Sequence, residues 1–340
     1  MRASISGSGI LVTGGAGFIG SHLVERLYAE GAREVVIIDN LFLGNMQNLT
    51  AAQAQGAVLY RDDAEFMTSL EMILDKHSVD IVFNCATKAL GHSFDNPANT
   101  FMVNPQVTIN LLELQRRGRF STLVQFSTSE VYGTALYEPM DEAHPIHPTT
   151  PYAAGKAAAD IAVKSYVEMF ALDCITVRPF NNYGPRQNST GPMAAVIPRT
   201  VQRLLAGEAP VILGDGLQSR DFIHVNDTVD AVVKVYPVLA SGESVNICTD
   251  GQVTINDVIE GIRAHIGNAT AIDYQERRPC DVECHYGSNK KLSALIDFQT
   301  TPFEAGLKST VDWYVTQLSS GLRLSNQRSD GIQTSIPGFP

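Results

Sequence analysis

Short, nearly uninterrupted apolar runs alternate with longer amphipathic stretches through the first half of the chain. The runs at 9–13, 34–39, 57–60, 81–84, 122–127 and 174–178 read as strands apolar on both faces. Such strands, separated by helical stretches, predict a parallel sheet covered by helices on both sides. Helical periodicity is expected at 20–30, roughly 99–117 and 152–170. Pro105 falls inside the second of these; it has no backbone donor, so that helix either starts near it or kinks. After Phe180 the texture changes. Residues 181–198 are rich in Gly, Pro, Asn and Arg and predict a long functional loop. Helix signals return at 197–205 and 254–265, where Thr254 and Asp257 fit an N-terminus. The polar stretch 323–340, with Gly and Pro, predicts a loose tail. The expected architecture is α/β: a doubly wound parallel sheet over 1–180, rejoined by about 220–247, and a smaller mixed α/β lobe from 181–219 and 248–322.

A length of 340 residues with 44% hydrophobic side chains supports a large core. Lys plus Arg is 25 and Asp plus Glu is 36, giving a formal charge of −11. That balance disfavours non-specific binding to nucleic acid or to an anionic membrane, while a few placed arginines still suffice for a phosphorylated small molecule. No apolar run reaches membrane-spanning length, and residues 1–9 lack the regions of a signal peptide. The cysteines (Cys85, Cys174, Cys248, Cys280 and Cys284) are too scattered for a disulfide framework, so a reduced, cytoplasmic protein is expected.

The first strand runs into Thr13-Gly14-Gly15-Ala16-Gly17-Phe18-Ile19-Gly20-Ser21. Glycines 14, 17 and 20 fit a turn that bends tightly and lets a pyrophosphate approach the backbone, with unpaired helix N–H groups beyond it. A second strand ends in Asp39-Asn40, nineteen residues after Gly20. A carboxylate there bonds the adenosine ribose hydroxyls and repels a 2′-phosphate, so NAD is favoured over NADP in a Rossmann-type sheet. Asp62 and Asp63 follow the third strand, either at the adenine edge or as a solvated acidic turn.

Tyr152 and Lys156 lie four apart, on one helix face. A free phenol titrates near about 10. A neighbouring ammonium and a cationic nicotinamide both favour its phenolate, making Tyr152 a usable acid or base. Thr128, at the end of another strand, offers a hydroxyl to the same substrate oxygen. His224 is given no acid–base role. Cys280, Cys284 and His285 supply too few well-spaced ligands for zinc, and no metal is expected.

These motifs, with Arg178-Pro-Phe-Asn-Asn-Tyr-Gly-Pro-Arg186 and Ser219-Arg220-Asp-Phe-Ile-His-Val225, carry a resemblance from about Gly9 to Tyr314. The chain resembles the NAD-dependent nucleotide-sugar epimerases and dehydratases of the extended short-chain dehydrogenase/reductases. The resemblance implies that Gly14, Gly17, Phe18, Ile19, Asp39, Asn40, Asp62, Asp63, Ala86, Lys88, Asn104, Tyr152 and Lys156 line NAD. It implies that Asn181, Arg186, Arg220, Arg278 and Asp281 hold a nucleotide diphosphate-sugar, together with Thr128. The arginine fork matches phosphate oxygens in pairs. A homodimer formed through the helices at 104–117 and 152–170 is also implied. Cys280, where the family has glycine, and Pro105, after Asn104, depart from the pattern.

The resemblance implies a 4-keto sugar intermediate and leaves its fate to other residues. An epimerase turns it over; a 4,6-dehydratase removes the C5 proton and expels the C6 hydroxyl; a uronate decarboxylase loses CO₂. Glu130, two residues past Thr128, suits a C5 base and favours the 4,6-dehydratase. Ser129 stands where familiar dehydratases have Asp, and the 191–198 loop is similar to that of 4-epimerases. Glu130 also fits a purely structural carboxylate. A non-catalytic NAD-binding protein of this fold is a distant alternative, since such proteins tend to lose the Tyr or the Lys.

Overall fold

The computed structural model describes residues 2–189, 191, 194–277 and 284–319. Arg278, Cys280, Asp281 and the 323–340 tail lie outside the described residues. The strands in chain order are β1 (Gly9–Thr13), β2 (Glu34–Ile38), β3 (Val58–Tyr60), β4 (Ile81–Asn84), β5 (Thr122–Phe126), β6 (Asp173–Pro179), β7 (Asn181–Tyr183), β8 (Val211–Leu213), β9 (Ser219–Arg220), β10 (Phe222–His224), β11 (Ser244–Ile247), β12 (Val253–Thr254), β13 (Asp273–Gln275) and β14 (Cys284–His285). The helices are α1 (Phe18–Ala29), α2 (Thr50–Ala54), α3 (Met67–Lys76), α4 (His92–Asp95), α5 (Pro97–Arg116), α6 (Pro151–Phe170), α7 (Val196–Leu205), α8 (Val225–Val235), α9 (Ile255–Ile266), α10 (Lys290–Leu295) and α11 (Phe303–Ser319).

Seven strands form one sheet in the order β11-β6-β5-β4-β1-β2-β3. Every pairing in it is parallel. Alternation along the strands sorts the core onto two faces. Ile10, Val12, Ile37, Phe83, Val124, Val177 and Val245 pack with α1 and α8 on one side. Leu11, Val36, Ile38, Val82, Leu123 and Cys174 pack with α3, α5 and α6 on the other. This sandwich explains why the strands are apolar throughout: neither face meets water. Of the segment 220–247, Ser244–Ile247 joins the large sheet beside β6, whereas β9 and β10 pair elsewhere. A third apolar cluster joins Ile197, Val201, Val258, Ile262, Leu307 and Val311 from α7, α9 and α11. Thr254 caps α9 in a reciprocal capping box with Asp257, as the sequence predicts. No helix among the described residues is long and apolar enough to cross a membrane.

Pro105 neither starts α5 nor stops it; the helix runs from Pro97 to Arg116 with the proline inside. The carbonyl it leaves without a helical donor, four residues earlier, belongs to Phe101. Gly155 of α6 packs onto that carbonyl, and a Cβ at 155 would sit 2.4 Å from the oxygen. At this contact one helix lacks a hydrogen bond and the other lacks a side chain. Gly155→Ala is expected to lower stability by about 1–3 kcal/mol, the usual cost of overpacking against backbone. Thermal denaturation beside the wild type checks this, and an unchanged midpoint would show that α5 and α6 can separate freely.

Candidate active site

At the carboxyl ends of the central strands lies a cavity of about 370 Å³. Its floor is the turn after β1. Gly14 has φ +68°, and a Cβ there would lie 2.8 Å from the backbone of Ala86, after β4. The turn is thus pinched between two strands and presents bare backbone to the cavity. Asp39 directly follows β2, and its carboxylate accepts from the Ala16 and Leu41 amides at 2.9 and 2.8 Å. Burial raises its pKa above the ordinary carboxylate value, with the amide hydrogen bonds opposing. Asn40 donates to the Asp63 carboxylate at 2.7 Å. Lys88 sits with its ammonium 4.0 Å from the centre of the Phe42 ring.

The cavity brings together Gly14, Gly17, Phe18, Ile19, Asp39, Asn40, Asp63, Ala86, Lys88, Thr128, Tyr152, Lys156 and Arg186. Asp62, Asn104, Glu130 and Asn181, all expected at the site, are not among its lining; Glu130 lies on the 3-10 turn that Thr128 caps. Asp62 accepts from the Asp63 amide instead. Asn104 is buried behind the wall, where it accepts from the Thr87 hydroxyl at 2.8 Å. Thr87 is the residue that sequence reasoning missed. Its neighbours Ala86 and Lys88 were the only signal, and its tie to Asn104 spans seventeen residues.

Tyr152 is in the first turn of α6, which Thr150 caps by accepting from the Ala153 amide. Its phenol is hydrogen-bonded to the Thr128 and Thr87 hydroxyls. Burial pushes the phenol up to about 12, Thr128 and Thr87 oppose this, and the charge on Glu130 adds to it. Lys156, one turn on, donates to the Phe126 carbonyl at 2.8 Å. Burial brings its ammonium down to about 8, against the opposing pull of Asp160. The spacing alone suggests a phenol made acidic by the lysine; in the folded chain burial dominates, and the groups that lower the phenol are Thr128 and Thr87 rather than Lys156. Asp160 lies one further turn along α6. Its Oδ2 accepts from Ser127 at 2.8 Å and from Arg178 at 3.1 Å. Thr128 also caps the short 3-10 turn 129–132, its hydroxyl accepting from the Glu130 amide at 3.3 Å.

Of the residues expected to hold a second ligand, Arg186 lines the large cavity and pairs with Glu25 of α1 at 2.7 Å. Its Nη1 is buried without a partner, as is Oδ1 of Asn181. Arg220 lines a separate cavity of about 180 Å³ with Arg199 and Arg203. The two latter arginines had no motif to flag them. Arg278 and Asp281 lie outside the described residues. A glycine cradle and a locked carboxylate at the end of β2 fit a dinucleotide with its pyrophosphate, and the orphaned Arg186 nitrogen offers a donor to an anionic second ligand.

Comparison with known proteins agrees with this geometry. Residues 11–310 match the family model described as GDP-mannose 4,6 dehydratase. A putative UDP-glucose 4-epimerase of Methanocaldococcus jannaschii is 33% identical over 306 residues, covering 89% of this chain and 97% of that protein. The solved UDP-N-acetylglucosamine 4-epimerase from Methanobrevibacter ruminantium, in complex with UDP-N-acetylmuramic acid, superposes with a TM-score of 0.85 at 33% identity, covering 92% of this chain and 99% of that one. The dTDP-glucose 4,6-dehydratase of Streptomyces venezuelae, with NAD and TYD bound, gives 0.87 at 28% identity, covering 93% and 100%. The chain belongs to the GDP-mannose 4,6 dehydratase family of extended short-chain dehydrogenase/reductases, which holds nucleotide-sugar dehydratases and epimerases.

Proposed function

We propose that this chain is an NAD-dependent enzyme acting on a nucleotide diphosphate-hexose through a 4-keto intermediate, and that it is a 4,6-dehydratase. Bound NAD⁺ supplies the acceptor for the hydride at C4 and its donor at the end of the cycle. The turn at Gly14 and Gly17 and the start of α1 hold the pyrophosphate. Asp39 takes the adenosine ribose hydroxyls, with Asn40 and Asp63 beside it. Lys88, Ala86 and Lys156 frame the nicotinamide half, and Asn104 steadies that wall through Thr87. Arg220, Arg199 and Arg203 surround a cavity suited to the substrate's nucleotide diphosphate. Tyr152 takes the O4 proton, with Thr128 holding the same oxygen.

The observation that carries the dehydratase reading is Glu130. It follows Thr128 on the same turn, and its charge bears directly on the Tyr152 phenol. A carboxylate so placed suits removal of the C5 proton, which the adjacent ketone makes acidic. A 4-epimerase is the second reading, favoured by the higher identity of the epimerase relatives and by the 191–198 loop. Incubation with UDP- and dTDP-hexoses and UDP-glucuronate, followed by mass spectrometry and proton NMR, separates them. Loss of one water with a new C6 methyl signal is the expected result. An unchanged mass with inverted C4 would make the chain an epimerase, and loss of CO₂ a decarboxylase. Tyr152→Phe is expected to cut turnover by about 10²–10⁴-fold while NAD stays bound, since it removes the acid–base group and leaves the cradle intact. If turnover survives, Tyr152 is not that group; if both cofactor and turnover are lost, the substitution has disturbed the fold.

We also propose a cytoplasmic homodimer. Met102 and Ile109 on α5 and Ile161 and Met169 on α6 are exposed apolar side chains on neighbouring helices. Cys85, Cys174, Cys248 and Cys284 are free thiols, as a reducing compartment leaves them. Light scattering at micromolar concentration is expected to give twice the chain mass, and Ile161→Glu to give the monomer. A monomeric wild type would refute the dimer.

A further inference from the structure

His285 lies in a Cys–His cluster too sparse for zinc, yet it is fully buried against the residue on which the proposed reaction turns. Strand β14 pairs with β9 and sets His285 opposite Arg220. The ring thereby reaches the turn after β5. Its Nε2 is 3.1 Å from the Gly133 carbonyl. A carbonyl only accepts, so Nε2 carries the hydrogen and, in the neutral ring, Nδ1 carries the lone pair. That lone pair faces the Ser129 hydroxyl at 3.4 Å and Glu130 Oε1 at 3.6 Å. A lone pair aimed at a carboxylate is repulsive until a proton lies between them.

The groups around the ring favour its neutral form. Burial opposes charging it most strongly; Arg220 on β9 and His144 in the loop before α6 also oppose it, while Glu130 and the Gly133 carbonyl favour it. The Phe180 ring packs alongside, with centroids 6.1 Å apart. His285 is therefore an acceptor held ready beside Glu130, and it gains a strong hydrogen bond only when Glu130 has taken up a proton.

We infer that Glu130 and His285 act as one acid–base pair at sugar C5, with Glu130 meeting the proton and His285 serving as the positioning residue that aims the carboxylate and shares the proton once it is taken. This rests on the 4-keto reading given above. In the step, the C5–H bond breaks, its electron pair enters the enolate formed with the C4 ketone, and the proton lands on Glu130 and bonds to Nδ1. The reverse step returns a proton to C5. The 3.4–3.6 Å separations lie within reach of the shorter bonds that acid–base groups make when substrate is bound.

The test is exchange of the C5 proton of a nucleotide-linked 4-keto-6-deoxyhexose in D₂O, followed by proton NMR with the whole protein. It requires neither hydride transfer nor net turnover. The wild type is expected to exchange C5 well above the buffer rate, and Glu130→Gln to lose at least about 100-fold. His285→Asn is expected to lose about tenfold or more and to lose one limb of the pH–rate profile, a change that a packing defect alone would not produce. Adding His285→Asn to Glu130→Gln is expected to cost nothing further. His285→Gln, which offers an amide instead of the ring, serves as a second variant should the first not fold. A His285 variant with the wild-type rate and profile, or losses that multiply in the double variant, would overturn the pairing while the 4-keto reading stands. A wild type silent at C5 would overturn the dehydratase reading and the pairing together.

Discussion

The buried ion pair between α6 and the end of β6 is the constraint on which the rest of the site depends. Arg178 and Asp160 form an ion pair at 3.0 Å, with side chains only 7% and 4% exposed. Burial works against the charge on both, but each holds the other: Arg178 also donates to the Tyr132 hydroxyl at 2.9 Å, and Asp160 accepts from Ser127. Removing one partner of such a pair typically costs about 3–5 kcal/mol, because the other charge is left stranded. Asp160 is one turn beyond Lys156, which is itself fastened to the Phe126 carbonyl. Helix α6 is thus pinned to the sheet at two successive turns. Tyr152, one turn earlier again, can only stand over Thr128. The catalytic spacing follows from the helical repeat; its position over the sheet follows from charges that have nowhere else to go.

What was legible in the sequence was local. The glycine turn, Asp39 at a strand end and Tyr152 with Lys156 each lie within a single strand–turn–helix unit, so spacing alone brings them together. The parallel sheet was legible for the same reason, since strands covered on both faces cannot alternate. The rest depends on distant segments meeting. Arg186 finds Glu25 across 161 positions, and His285 reaches Ser129 across 156. No periodicity announces such meetings. Pro105 shows the opposite case: the sequence flagged a break, yet the helix continues, and Gly155 of α6 lies against the carbonyl that the proline abandons.

The two cavities divide the labour suggested by the two halves of the chain. The larger lies over the sheet, where strand ends supply backbone and charges of both signs, among them Asp39, Asp63, Lys88 and Lys156. The smaller is walled by α7 and by strands outside the sheet, and it gathers three arginines. Thr128 lines the larger cavity and caps the short turn that carries Glu130. A reaction that oxidises C4 and then acts at C5 needs its acid–base groups close together, as around that turn. On the proposed function, family members that differ in outcome share the first oxidation, which here falls to Tyr152, Thr128 and Lys156 with the cofactor.

The central claim is that the chain alone makes Tyr152 a weak acid and that bound cofactor makes it a working one. Burial outweighs the help of Thr128 and Thr87, and Lys156 is occupied with Phe126. The most direct measurement is the ultraviolet titration of the Tyr152 phenol, taken as wild type minus Tyr152→Phe, with and without NAD⁺. The account predicts ionisation near about 12 in the cofactor-free protein, so none below pH of about 11, and a midpoint at least about two units lower once NAD⁺ is bound. Equal midpoints in the two states, or a cofactor-free phenol ionising at or below the ordinary value of about 10, would contradict it.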